Sequence, residues 1–271
     1  MMKQTLIASA VASAFLFSSA TVLAEDAAPA PSPLTFNVGV VSDYLFRGIS
    51  QTHGDPALQG GADYTFANGA YVGTWLSTIS WVSDYTNDGD IEVDLYGGYR
   101  GSFAPDWSYD VGLIGYLYPS HGAANAFGAS PNTTEVYGSV GYKWLSVKYS
   151  RAISSHFVGW YSSTGGDTKG SDYLEANATY DLGNGWGLIG HMGHQKVEDF
   201  DPASYSDYKI GVTKDVGFGI VTLAYSDTNA KGQTGQAYNW PSGNFVAGVG
   251  STSDFTDVSK GKAVLTFLKT F

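Results

Sequence analysis

Two of the five histidines have the spacing of a possible pair of metal ligands. His191 and His194 stand three positions apart, and imidazole nitrogen is a common ligand of zinc. In a helix this spacing would place both rings on one face, whereas in a strand positions i and i+3 point to opposite faces. The surrounding residues alternate, so we predict a strand and no shared metal. His53, His121 and His156 fall in predicted loops, where we expect solvated side chains.

A short acidic segment is the second place where chemistry could occur. Asp84, Asp88 and Asp90 surround Asn87 and Gly89, and such an oxygen-rich loop could hold calcium. The spacing is not that of an EF-hand, because no glutamate stands where a bidentate ligand is required. We therefore favour a hydrated acidic loop and predict no metal site.

Other signatures of catalysis are missing from the sequence. The chain has no cysteine, which excludes zinc–thiolate sites and disulfides. It contains no GxSxG, HExxH, phosphate-binding or dinucleotide-binding motif in a suitable context. We predict that the protein is not an enzyme and needs no cofactor.

Ionisable residues follow a period of two, which is typical of strands. Within residues 91–100, Glu92, Asp94 and Arg100 share one face, while Ile91 and Leu95 share the other. In a membrane barrel such ionisable faces must line the lumen, because a charge on the lipid face costs roughly 2–4 kcal/mol at mid-bilayer. The predicted pore-lining residues are Asp43, Arg47, Asp63, Glu92, Asp94, Arg100, Asp110, Glu135, Lys143, Lys148, Glu175, Asp181, Asp207 and Lys209.

Twelve such strands can be counted, and the lengths of their connections decide the fold class. A soluble sandwich would also alternate, but here long and short connections alternate strictly, as in outer-membrane barrels with short periplasmic turns and long external loops. We predict an all-β fold, a single antiparallel transmembrane β-barrel of twelve strands. The strands lie near residues 35–47, 57–66, 70–81, 91–100, 107–118, 134–143, 145–152, 172–182, 186–196, 205–214, 218–227 and 261–271.

The composition agrees with a membrane barrel. The chain is 43% hydrophobic and 15% aromatic but only 14% charged, which is unusual for a soluble protein surface. The net charge of -11 argues against a nucleic-acid partner. Tyrosine and tryptophan favour membrane interfaces, so we expect aromatic residues near strand ends, among them Tyr44, Trp81, Trp107, Tyr142 and Trp186, to face the interface.

The N-terminal region has the features of an export signal. Residues 1–24 combine Lys3, an apolar run and a small-residue cleavage site at Ala24, so we predict a signal peptide. Residues 25–33 are rich in proline and alanine and are predicted to be an N-terminal lead. The barrel would occupy residues 34–271, where no apolar run is long enough for a membrane-spanning helix.

Several segments suggest a family. The sequences SDYLFRGISQT (42–52), DPALQGGADY (55–64), GTWLSTISW (73–81) and KAVLTFLKTF (262–271) resemble the TorF family, whose members are proposed to be porins. The resemblance covers most of the chain after residue 24. It implies an outer-membrane barrel that forms a channel, and it implies no particular solute.

The sequence therefore predicts a channel in the cell outer membrane of a Gram-negative bacterium for passive diffusion of small polar solutes or ions. Nine of the predicted lining residues are acidic and five are basic, which would favour cations. The expected partners are outer-membrane lipid and lipopolysaccharide, and the barrel-assembly machinery through the last strand, ending at Phe271. Three alternatives stay open: a barrel plugged by internal salt bridges, an adhesin or structural protein acting through loops such as residues 228–260, and an outer-membrane enzyme.

Overall fold

The computed structural model describes residues 32–86, 89–119, 130–242 and 254–271. The predicted signal peptide, most of the predicted lead, His121 and Asp88 lie outside these residues. The elements are β1 (Leu34–Val41), β2 (Leu45–Phe46), β3 (Ile49–Ser50), β4 (Ala57–Thr65), β5 (Ala70–Thr78), α1 (Trp81–Thr86), β6 (Ile91–Ala104), β7 (Trp107–Leu117), β8 (Thr133–Tyr142), β9 (Leu145–Ala152), β10 (Asp172–Gly183), β11 (Trp186–Lys196), a 3-10 helix (Asp201–Ala203), β12 (Tyr205–Asp215), β13 (Ile220–Thr228), β14 (Asn239–Ser242), β15 (Asp254–Asp257) and β16 (Lys262–Thr270).

Twelve of these strands form a closed antiparallel barrel, which confirms the predicted fold class. The order around the wall is β1, β16, β13, β12, β11, β10, β9, β8, β7, β6, β5 and β4, and pairing of β1 with both β4 and β16 closes the ring. The remaining strands form two small hairpins, β2–β3 and β14–β15, within long connections.

No helix in the described part of the chain is long and apolar enough to cross a membrane.

The first wall strand is shorter than the sequence predicted. It ends at Val41, and the chain then turns away from the wall into the hairpin β2–β3. Arg47 and Gly48 have φ angles of 49° and 80°, in the left-handed region that a continuous strand does not use. Tyr44, expected at the membrane interface, is consequently buried. Trp81 was also wrongly predicted to face the membrane interface. The strand β5 ends at Thr78, and Trp81 is instead the buried first residue of α1.

The two faces of the wall differ sharply in polarity. Leu95 and Leu113 point outward and are 52% and 50% exposed, whereas Glu92 and Asp110 point inward and are 0% and 3% exposed. A soluble protein has the opposite arrangement, since burial of apolar surface stabilises its fold. The outward face is therefore suited to hydrocarbon, and the inward face holds the polar groups.

Glycines in the wall make room for inward-facing tyrosine rings. The Tyr71 hydroxyl lies 2.7 Å from the position that a Cβ on Gly98 would occupy. The ring of Tyr96 covers Gly73 on the neighbouring strand in the same way, at a distance that excludes any side chain there. This close packing explains why glycine occurs at these two strand positions, where it would otherwise weaken the strand.

Apolar packing is concentrated at the end of the barrel that carries the long connections. Trp81 contacts Tyr118 with ring centroids 5.1 Å apart and Trp240 at 5.6 Å, which joins α1 to the hairpin β14–β15. Tyr238 contacts Trp160 at 5.7 Å. The described parts of the long connections thus form a packed layer at this end, whereas short turns join the strands at the other end.

Candidate functional site

Most of the predicted pore-lining residues face the interior. Eight are buried, four are partly buried, and Lys143 and Asp181 are exposed at the short-turn end. Lys143 lies in the turn between β8 and β9, with its Nζ 3.8 Å from Asp106 Oδ2 in a neighbouring turn. The buried ones are Asp43, Arg47, Glu92, Asp94, Asp110, Glu135, Glu175 and Asp207, and the partly buried ones are Asp63, Arg100, Lys148 and Lys209.

A first interior network lies on β5 to β9, toward the short turns. The Tyr71 hydroxyl donates to Asp110 Oδ1 at 2.7 Å and also contacts the Tyr137 hydroxyl. The guanidinium of Arg100 lies 4.5 Å from the Tyr71 ring centroid, and Lys148 Nζ lies 4.5 Å from that of Tyr137. Two cations are thus held on tyrosine ring faces and one carboxylate is held by a tyrosine hydroxyl, which keeps charge at the lumen surface.

A second network occupies β10, β11 and β12. His191 Nε2 lies 2.8 Å from Asp207 Oδ2, and His191 Nδ1 lies 2.7 Å from Asn177 Oδ1. The Tyr173 hydroxyl donates to Asp207 Oδ1 at 2.8 Å. His194 is exposed on the opposite face. His191 and His194 thus point to opposite faces of β11, as the alternation predicted.

His53 differs from the expectation of a solvated ring. Its Nδ1 lies 2.9 Å from Asp84 Oδ2 and 3.0 Å from Ser80 Oγ, and its side chain is only 9% exposed. The reason is that the loop carrying His53 folds against α1 instead of extending into solvent. Within the described ranges, no group of three or more histidine, aspartate or glutamate side chains is arranged to hold a metal ion.

Residues 42–52, which we call the luminal loop, lie across the interior near the long-loop end. Close to β1, Asp43 Oδ2 lies 2.5 Å from Lys262 Nζ on the neighbouring strand β16. Asp43 Oδ1 accepts hydrogen bonds from Ser50 Oγ at 2.6 Å and Thr52 Oγ1 at 3.0 Å. These bonds fold the loop into a compact hairpin whose base is attached to its own side of the wall.

Arg47 stands at the tip of this hairpin and binds the far side. Its Nη2 donates to Glu135 Oε2 on β8 at 2.7 Å, and its Nη1 donates to Gln195 Oε1 on β11 at 2.6 Å. The Tyr173 ring centroid on β10 lies 4.2 Å from the guanidinium carbon. Burial by itself lowers the pKa of a guanidinium, but the Glu135 carboxylate outweighs this, so the pKa of Arg47 lies above its ordinary value. A guanidinium stays protonated in proteins, so Arg47 carries a positive charge inside the barrel.

A small cavity remains between the luminal loop and the wall. Its volume is about 60 Å³, enough for a few water molecules. Its lining includes Arg47, His191, Asp207, Lys209 and Ser226. The luminal loop thus leaves little open space against the wall at this level.

Sequence reasoning missed three interior residues that hold the luminal loop. Tyr173, Gln195 and Lys262 were not among the predicted lining residues. The alternation could have found Gln195, because it lies on the same face of β11 as His191, and Lys262, because it lies on the face of β16 opposite to Leu265. Their role in binding the loop could not be found in this way, since it depends on contacts across the barrel.

Comparisons with known proteins agree with the class that this geometry defines, a porin-type barrel. The solved KdgM porin has a TM-score of 0.52 with 9% identity, covering 88% of this chain and 99% of that chain. The NanC porin has a TM-score of 0.50 with 9% identity, covering 87% of this chain and 98% of that chain. Such low identity shows the fold alone.

The sequence of the chain also matches the model of one protein family. The model of Gcw_chp, described as a bacterial protein of unknown function, matches residues 25–263. The chain belongs to this family. A search of curated proteins found no match.

Proposed function

We propose that the protein is an outer-membrane channel for passive diffusion of small polar solutes or ions. The observation that carries this proposal is the closed twelve-strand wall, apolar outside and lined with ionisable groups inside. Such a wall satisfies the backbone hydrogen bonds within the membrane and encloses a polar path. The likeness of the fold to the KdgM and NanC porins supports the same assignment.

The proposed location in the outer membrane implies particular partners for the barrel. The outward face would contact outer-membrane lipid and lipopolysaccharide after export directed by residues 1–24. The last strand, β16, is followed by Phe271, which is 65% exposed and accessible to the barrel-assembly machinery. The resemblance of residues 42–52 to the TorF family supports a role as a porin of that kind.

We further propose that the lumen favours cations. Among the predicted lining residues together with Lys262, eight carboxylates and five lysine or arginine side chains are buried or partly buried. Three of the carboxylates, Glu92, Asp94 and Glu135, face the interior from β6 and β8, and Arg47 forms an ion pair with Glu135. An excess of negative charge raises the local concentration of cations in a narrow path.

Planar bilayer recording tests this function. We expect the refolded protein to give single-channel conductance, and a salt gradient to give a reversal potential of the sign for cation preference. The double variant Glu92→Gln, Asp94→Asn should lower that preference, because it removes the negative charge that this pair of interior carboxyl groups carries. Asp201→Asn, at an exposed position in the 3-10 helix, is the matched control and should leave the reversal potential close to that of the parent protein.

A second candidate function has its own support. The luminal loop and the apolar layer at the long-loop end also fit a plugged barrel that acts through its loops as an adhesin or structural protein. Correctly folded protein without conductance at any tested voltage, together with attachment of bacteria that depends on the 228–260 loop, would favour this candidate over a channel.

A further inference from the structure

We propose that the luminal loop is the constriction of the lumen and that Arg47 is the positioning residue that latches it across the barrel. The inference rests on the proposed function, because it identifies the part of the channel that limits passage. One hairpin and one side chain would then determine how wide the lumen is for a passing solute.

The position of the loop follows from the order of the wall strands. In the ring of twelve, β9 is six places from β1 in either direction and therefore lies opposite β1. Arg47, on the loop that follows β1, binds Glu135 on β8 and packs on Tyr173 on β10, the two strands that flank β9. The hairpin must therefore span the lumen from one side to the other.

The two ends of the hairpin are held differently. At its base, Asp43 and Lys262 form an ion pair next to β1, so the loop stays attached to its own side. At its tip, Arg47 and Gly48 form the two-residue connection between β2 and β3, where both φ angles are positive, as in tight hairpin turns. Arg47 supplies the charged contact with the far wall. The luminal loop is thus anchored at its base by one ion pair and held at its tip by the contacts of Arg47, which we call the latch.

The latch is specific to an arginine. Two separate nitrogens of the guanidinium bind Glu135 and Gln195, which lie on strands that are not adjacent. The guanidinium group also lies over the aromatic rings of Phe46, Phe157 and Tyr173. Lysine has a single ammonium and no planar face, so it could pair with Glu135 without reproducing the other contacts. A loss of latching should therefore be partial in Arg47→Lys.

Thiol labelling tests the latch independently of conductance. The chain has no cysteine, so Ser226→Cys introduces a single thiol on β13, in the wall of the cavity that the luminal loop covers. In this background, Arg47→Gln with Glu135→Gln removes both partners and leaves no unpaired buried charge. We expect a hydrophilic maleimide to label the introduced thiol at least about tenfold faster in this triple variant, which corresponds to about 1.4 kcal/mol in the opening equilibrium.

Two further variants control this experiment. Arg100→Gln also removes a luminal arginine, but one that lies on the wall strand β6 and contacts Tyr71, so labelling of the thiol should stay at the rate of the Ser226→Cys parent. Arg47→Lys should label at an intermediate rate. A difference in gel mobility between unboiled and boiled samples, compared in all variants, identifies those with an intact barrel.

The outcomes separate the inference from the proposed function. Equal labelling rates in the folded parent and Arg47→Gln, Glu135→Gln proteins would overturn the latch, even if both conduct. Faster labelling with a larger single-channel conductance supports the latch and the channel together. Faster labelling in a barrel that never conducts supports the latch as part of a plug and rejects the channel.

Discussion

Single tyrosine–glycine contacts set how closely the interior of the wall is packed. Tyr96 covers Gly73, and no space remains for a Cβ at that position. Gly115, on β7, differs because a Cβ there would meet only the Leu95 carbonyl oxygen, at 3.9 Å. The same residue type thus has a packing role at one site and none at the other.

This difference gives a prediction at the residue scale. Gly73→Ala should lower the free energy of unfolding by about 1–3 kcal/mol, because the added methyl group forces the Tyr96 ring out of its site. Gly115→Ala is the control and should unfold at the parent urea concentration. Urea titration in lipid vesicles, followed by tryptophan fluorescence, measures both. Equal midpoints for the two variants would contradict the packing argument.

The sequence predicts residues well where the wall is regular. Alternation identified the inward positions of Glu92, Asp110 and Glu175, because successive side chains in a strand must point to opposite faces. It could not identify the contacts of Arg47, because that residue lies in a loop without any period. Contacts of Arg47 with residues 88 and 148 positions away depend on closure of the whole ring.

At the element scale, the luminal loop is separable from the wall that carries it. β1 and β4 pair directly with each other over eight positions, from Leu34 with Tyr64 to Val41 with Ala57. The hairpin β2–β3 contributes nothing to this pairing. The register of the wall is therefore fixed without the loop.

Replacing residues 43–55 by a short Asn-Gly turn should leave a folded barrel with higher conductance. The wall pairs stay in register, and Asn-Gly suits a tight connection between antiparallel strands. Gel mobility before and after boiling reports folding, and bilayer recording reports conductance. An equal-length deletion that includes β1 is the control and should abolish the compact form. A folded barrel with unchanged conductance would show that the loop does not limit passage.

Elements inside the long connections were not predictable in the same way. The sequence predicted all twelve wall strands, since each has a period of two and ends at a short turn or a long loop. It did not predict α1, β2, β3, β14 or β15, which are two to six residues long. Such short elements are stabilised by packing on one another, as Trp81 packs on Trp240, and they carry little pattern of their own.

For the whole molecule, the apolar outward face of the wall determines that the protein requires detergent or lipid. Ile210 is 69% exposed, and many other large apolar side chains point outward with it. A surface of this kind associates in water but is stable in detergent or lipid.

We expect the protein after residue 24 to stay monodisperse in detergent and to aggregate when detergent is removed. Size-exclusion chromatography with and without detergent measures this. Before boiling, the detergent-solubilised barrel should migrate differently in a gel from the boiled chain, because the closed wall resists unfolding by the detergent. Recovery of a monodisperse species in plain buffer would contradict a membrane barrel.

The meeting of β1 with β16 has a consequence for chain order. Phe271 N donates to Phe36 O at 2.8 Å, so the first and last strands of the wall are direct neighbours. A circular permutant that joins Phe271 to Leu34 through a short flexible linker and starts at the turn between β10 and β11 would keep every inter-strand pair of the wall. The closed wall should therefore form whichever of its strands comes first in the chain.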